Sequence, residues 1–111
     1  MRRAAVVALL LAAACARTVM PSATPADADA ASRRWPGTTV ADLAAGRDLY
    51  IARCTGCHQP VPPDQVAPAD WPAHIAEMKQ RSHLDESQAS LVERYLVTMA
   101  ERASDATAQS R

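Results

Sequence analysis

The chain has 111 residues, of which 12 are basic and 12 are acidic, so its formal net charge is zero. This balance is too mild for a nucleic-acid-binding protein, which shows a clustered basic face. Large aromatic side chains are scarce, since there are no phenylalanines and only two tyrosines and two tryptophans. A domain with so little material for an interior is expected to depend on disulfides, metals or a cofactor.

The amino terminus has the pattern of an export signal. Met1 is followed by two arginines, and residues 4–14 are an uncharged run of alanine, valine and leucine. This pattern predicts a signal peptide over residues 1–14, because the run is shorter than the about 20 apolar residues that a bilayer span requires. Without the two arginines the chain has ten basic against twelve acidic residues, a net charge of about −2.

A lone cysteine ends this run. Three alanines lead into Cys15, an arrangement that resembles a bacterial lipobox, in which the cysteine is lipidated and becomes the first mature residue. Such boxes more often carry leucine where this chain has Ala12, so ordinary cleavage nearby is the alternative. We expect a lipid anchor at Cys15 on the periplasmic side of a bacterial membrane, with a soluble periplasmic protein as the alternative.

The following segment has the composition of a spacer. Residues 16–37 are mostly alanine, proline, serine, threonine and aspartate, without apolar periodicity. Such a composition cannot bury enough surface to offset its ordering entropy. We therefore predict a lipidated cysteine and disordered tether over residues 15–37, a folded domain over residues 38–103 and a disordered tail over residues 104–111.

Three helices are predicted in the folded domain, and no segment has the pattern of a strand. The first begins at Thr39, with Asp42 completing a capping box. The second begins after Asp70, with a proline in its first turn. The third begins after Asp85, with Gln88 as the reciprocal cap and an apolar stripe of helical period. The predicted fold class is all-α.

Two cysteines three positions apart, followed at once by a histidine, occupy residues 54–58. This is the pattern that attaches a c-type haem: Cys54 and Cys57 form thioethers to one porphyrin edge, and the next residue, His58, is held close enough to coordinate the iron. A zinc knuckle needs a second pair of ligands, and a thioredoxin-like dithiol needs a βαβ setting. Neither pattern is present in the sequence, so we predict one covalently bound haem c.

From this point the chain resembles the class I c-type cytochromes, in particular their small bacterial relatives. The resemblance covers residues 40–98 and rests on the haem motif together with three further segments, namely Gly46-Arg47-Asp48-Leu49-Tyr50, Trp71 to Met78, and Tyr95-Leu96. It implies a helical domain wrapped around the haem, in which the first and last helices cross at Gly46 and an aromatic residue. A glycine there lets the second helix approach closely.

The second axial ligand has four candidates. Met78 is the one the resemblance implies, because a methionine follows a tryptophan-bearing segment in similar cytochromes. His74 lies one turn earlier on the same face and is an alternative ligand, whereas Met99 lies on the apolar stripe and is expected in the core. His83 is expected to face solvent. For the second nitrogen of the proximal histidine, the carbonyl of Pro60, Pro62 or Pro63 is the predicted acceptor.

These observations predict a membrane-tethered, periplasmic electron carrier rather than an enzyme, with redox proteins as partners. A thioether ligand stabilises Fe(II) and raises the potential, and two filled axial sites leave no open position on the iron. The alternatives are a haem sensor or small haem enzyme with an open distal site, and an accessory haem subunit of a larger redox complex.

Overall fold

In a computed structural model of the chain, the described residues are 20–54 and 59–111. Within these ranges there are four α-helices and two short 3₁₀ turns, and no strand, which confirms the all-α prediction for this part of the chain. No helix among the described residues combines the length and the apolar composition needed to cross a bilayer. The helices are α1 (Pro25–Ser32), α2 (Val40–Arg53), α3 (Trp71–Arg81) and α4 (Glu86–Gln109), and the turns are Pro63–Gln65 and Pro68–Asp70.

Two of the predicted helix starts carry the predicted caps. The Thr39 hydroxyl accepts the Asp42 amide at 3.1 Å, and the Asp42 carboxylate accepts the Thr39 amide at 2.9 Å. At the start of α4, Asp85 and Gln88 exchange the equivalent bonds at 2.8 and 3.1 Å. Each reciprocal pair satisfies two amides that would lack a partner at a helix start.

The start of α3 is correctly predicted but differently built. Asp70 occupies the N-cap position, yet its side chain makes no capping hydrogen bond. Its backbone is already helical (φ −91°, ψ −18°) because it ends the preceding 3₁₀ turn. An N-cap side chain reaches the following amides from an extended backbone, so a turn leading directly into the helix leaves Asp70 unable to cap.

The two longest helices pack against each other at Gly46, as predicted. A β-carbon at Gly46 would overlap the backbone carbonyl of Leu91 and would lie 3.0 Å from Cβ of Tyr95. Tyr50 and Tyr95 are almost fully buried on either side of this contact. The absence of a side chain at Gly46 therefore allows the backbones of α2 and α4 to come into direct contact.

The main core lies between α2, α3 and α4. Met99 is only 2% exposed and belongs to it, which confirms the prediction that this methionine is a core residue. We call this group the main core; its buried members are Met20, Tyr50, Trp71, Ile75, Leu84, Ala89, Val92, Tyr95, Leu96, Val97, Met99 and Ala100.

The predicted tether is wrong over residues 20–37, which are folded onto the domain. Met20 is 7% exposed and packs in the main core. Its carbonyl accepts a hydrogen bond from Nε of Arg47 at 3.0 Å, and the Pro21 carbonyl accepts one from the Tyr95 hydroxyl at 2.6 Å. We call residues 20–24 the strap. Residues 15–19 and the predicted signal peptide lie outside the described residues.

Helix α1 follows the strap and packs on α2 and α4. Ala28 and Ala31 are buried with Leu43 in a second small cluster. Composition misled the prediction because alanines give almost no apolar periodicity. They do, however, have high helix propensity and let a neighbouring helix approach closely, so packing orders a segment that has little hydrophobic surface of its own.

The predicted tail also differs from the structure, since α4 continues to Gln109. The last residues of the helix are exposed, and side chains near its end bond back to the helix: the Thr107 hydroxyl donates to the Ala103 carbonyl at 3.0 Å, and the Ser110 hydroxyl to the Ala106 carbonyl at 3.0 Å. No glycine or proline interrupts residues 104–110, so the helix propagates beyond the part that packs on the core.

Replacing Asp27 with alanine is expected to release α1 from the domain. The Asp27 carboxylate is buried, accepts the amide and hydroxyl of Thr24 at 2.8 Å each, and pairs with Arg102 at 2.8 Å. Loss of the cap and of one partner of this ion pair should lower the free energy of unfolding of α1 by about 2 kcal/mol.

Hydrogen exchange of the α1 amides measures this change. Asp29→Ala on the same helix is the matched control, because Asp29 is exposed. Equal protection in the two variants would show that the Asp27 contacts do not hold α1.

Candidate functional site

The structure describes two of the predicted site residues and leaves the others outside its range. Cys54 and Met78 are placed, whereas Cys57, His58 and Cys15 lie outside the described residues. The arrangement of the site is therefore built from Cys54, Met78 and the elements that hold them.

Cys54 is the C-cap residue of α2. Its amide donates to the Tyr50 carbonyl at 3.0 Å, so the helical geometry continues up to the first residue of the haem motif. Its side chain is half-buried against the main core. Burial raises the pKa of the Cys54 thiol above its ordinary value, and the Ser82 side chain offsets part of this shift. Before any modification, this thiol is protonated at neutral pH.

Met78 lies near the end of α3 and is also half-buried against the main core. Its carbonyl accepts the amide of Ser82 at 2.8 Å. Ser82 follows α3 and also influences the pKa of Cys54, so the end of α2 lies close to the C-terminal end of α3.

The other predicted ligands are placed less favourably. His74 is exposed, and its ring lies edge-on to Trp71 with centroids 6.0 Å apart. His83 is exposed, as predicted, and has a positive φ of 53° in the turn that ends α3. In this turn the Leu84 amide donates a hydrogen bond to the Lys79 carbonyl at 3.1 Å, which is the 6→1 bond of a Schellman motif. His83 therefore shapes the end of α3.

Two buried aromatic residues hold the segment that follows the haem motif. The Tyr50 hydroxyl donates to the Val61 carbonyl at 2.6 Å, and Nε1 of Trp71 donates to the Pro63 carbonyl at 3.0 Å. The two rings meet edge to face with centroids 6.1 Å apart. Burial raises the pKa of Tyr50 to about 12, so its hydroxyl stays a donor at physiological pH.

These two hydrogen bonds were not predicted from the sequence. The acceptors of both aromatics are backbone carbonyls of a proline-rich loop. No residue type in the sequence marks a carbonyl as an acceptor, so only the folded chain reveals the pairing.

The proline carbonyls proposed as partners of the proximal histidine are unequally engaged. Pro63 accepts from Trp71, and Pro62 accepts the Gln65 amide at 3.0 Å. A carbonyl oxygen has two lone pairs and can accept a second bond, so Pro60, Pro62 and Pro63 all stay candidates for the role.

Cys54 is one of a set of partly buried side chains that pack against the main core. Several apolar side chains from the end of α2, the loop and α3 pack on the main core but remain half-exposed. Among the described residues no three His, Cys, Asp or Glu side chains are grouped as a metal site. We call these half-buried side chains the apolar rim: Leu49, Ile51, Cys54, Val66 and Met78.

Comparisons of this chain with protein-family models, with curated proteins and with solved structures found no match.

Proposed function

We propose that this protein is a periplasmic, membrane-tethered, monohaem c-type cytochrome that passes single electrons between redox proteins. The observation that carries the proposal is the Cys-Thr-Gly-Cys-His motif of residues 54–58, which is the attachment pattern of a c-type haem. The half-buried position of Cys54 at the end of α2, next to the end of α3, supports it.

Each residue has one role in this proposal. Cys54 and Cys57 hold the haem covalently, His58 is the proximal iron ligand and Met78 is the distal ligand. The haem, when bound, supplies a one-electron iron couple. Met78 contributes a soft thioether, which favours Fe(II), and its position on a helix packed against the core limits its movement. The carbonyl of Pro60, Pro62 or Pro63 is the proposed acceptor that orients the His58 ring.

The scaffold around the site suits an electron carrier. Tyr50 and Trp71 tie the loop after the motif to α2 and α3 through buried hydrogen bonds. A buried donor without its acceptor costs about 1 to 3 kcal/mol, so these bonds resist rearrangement of the loop. A site that changes little between two oxidation states is what single-electron transfer requires.

Replacing Met78 with alanine is expected to open the distal position of the iron. In the purified full-length protein, the proton NMR signal of an iron-bound methionine methyl should disappear. The reduced protein should change from one whose spectrum carbon monoxide barely perturbs to one that binds it readily, because no thioether then fills the sixth position.

Two variants control this experiment. Met99→Leu removes a methionine from the buried core, and His74→Ala removes the other predicted ligand on α3. Both should retain the methyl signal and resist carbon monoxide. Ready binding of carbon monoxide by the unmodified protein would contradict the carrier and favour a sensor or small haem enzyme.

A further inference from the structure

We propose that the domain is held against the surface of the lipid bilayer, with the strap facing the lipid headgroups. The inference rests on the proposed lipid anchor at Cys15. It goes beyond the proposed function because it concerns the distance and the side from which the membrane holds the domain.

The length of chain between the anchor and the folded body carries the inference. The strap begins at Met20, so only residues 16–19 separate it from Cys15. Five residue steps span at most about 18 Å, whereas the predicted tether, running to residue 38, would span about 80 Å. The observed fold therefore removes most of the reach that the composition predicts.

The strap is held at its first two residues, so it does not lengthen the linker between Cys15 and the folded domain. Met20 is inserted in the main core with its carbonyl bound by Arg47, and Pro21 is bound by Tyr95. Beyond the strap, α1 is held by the buried Asp27 to Arg102 pair. Lengthening this linker would require the contacts of Met20, Pro21 and Asp27 to break at the same time.

The exit point also orients the candidate site. Arg47, which binds the Met20 carbonyl, precedes Cys54 by seven residues on α2, a rise of about 10 Å along the helix axis. A bilayer held at the strap end therefore lies on the same side of the domain as the middle of α2.

The test uses the full-length holoprotein with its lipid, bound to a supported bilayer of phosphatidylethanolamine and phosphatidylglycerol, and measures the position of the protein layer by neutron reflectometry. One variant receives twenty Gly-Ser residues after Thr18. The control receives the same insertion after Ser110, at the exposed end of α4. Circular dichroism of both variants checks that the helices are retained.

We expect the unmodified protein and the control to lie against the headgroups. The variant with the insertion after Thr18 should lie farther from the bilayer. For flexible chains of 4 and 24 residues the average spans are about 11 and 27 Å. The inference would be overturned if the unmodified protein were separated from the headgroups by a water gap as wide as that of the variant with the insertion after Thr18.

Mass spectrometry of the same samples separates this inference from the proposed function. A chain that carries haem but no lipid overturns the membrane-held domain and leaves the electron carrier intact. A chain that carries lipid but no haem overturns the electron carrier, while the reflectometry result, which needs no haem, still decides the position of the domain.

Discussion

Replacing both Cys54 and Cys57 with alanine is expected to remove all covalently bound haem. The denatured variant should have the mass of its amino acids and lipid alone, because alanine offers no sulfur for a thioether. Without the cofactor, the half-exposed apolar rim is left uncovered, so the helical circular dichroism signal should fall at physiological temperature. Intact mass spectrometry and circular dichroism measure the two effects.

Cys15→Ala is the matched control for this double variant. It removes a cysteine outside the haem motif, so it should lose the lipid but keep the haem and the helical signal. A double variant with native-like helicity would contradict the idea that the cofactor completes the core. An unmodified protein with no haem mass would overturn the electron carrier itself.

Replacing Gly46 with alanine is expected to lower the free energy of unfolding by about 3 kcal/mol, at the upper end for overpacked sites. The added β-carbon would overlap the Leu91 carbonyl, and a backbone atom in a helix cannot move aside as a flexible side chain can. The loss should exceed the gain of up to about 1 kcal/mol that alanine brings to a helix interior. Urea unfolding measures the difference.

Gly37→Ala provides the comparison, because the same atom is added where nothing lies within 4 Å. Its cost comes only from the positive φ of 81° and should be about 1 to 2 kcal/mol. If Gly46→Ala were no more destabilising than Gly37→Ala, the close approach of α2 and α4 would not be an important contact.

Local signals in the sequence were sufficient for the helix starts. The capping boxes at Thr39 and Asp85 involve residues three positions apart, so they form wherever the chain turns into a helix. Asp70 shows the limit of such signals, since its side chain is of the right type but its backbone follows the preceding turn.

Part of the candidate site could likewise be predicted from local sequence, and part depends on the tertiary structure. The spacing of residues 54–58 is enough to predict haem attachment, because thioether formation and iron ligation involve residues that are adjacent in the sequence. The choice among Met78, Met99 and His74 depends on burial and on neighbours far along the chain. The structure places Met99 in the core and leaves His74 exposed, while Met78 is half-buried against the main core.

By itself, the sequence determined the helical class of the domain, the starts of α2, α3 and α4, and the residues proposed to hold a haem, because each depends on contacts within a few positions. Only the tertiary structure decided that residues 20–37 belong to the folded body. Alanine-rich segments carry little hydrophobic signal of their own, and the contacts of Met20 and Asp27 join residues 27 and 75 positions apart. Because of this long-range packing, the chain between Cys15 and the folded domain can span at most about 18 Å, instead of the about 80 Å of the predicted tether.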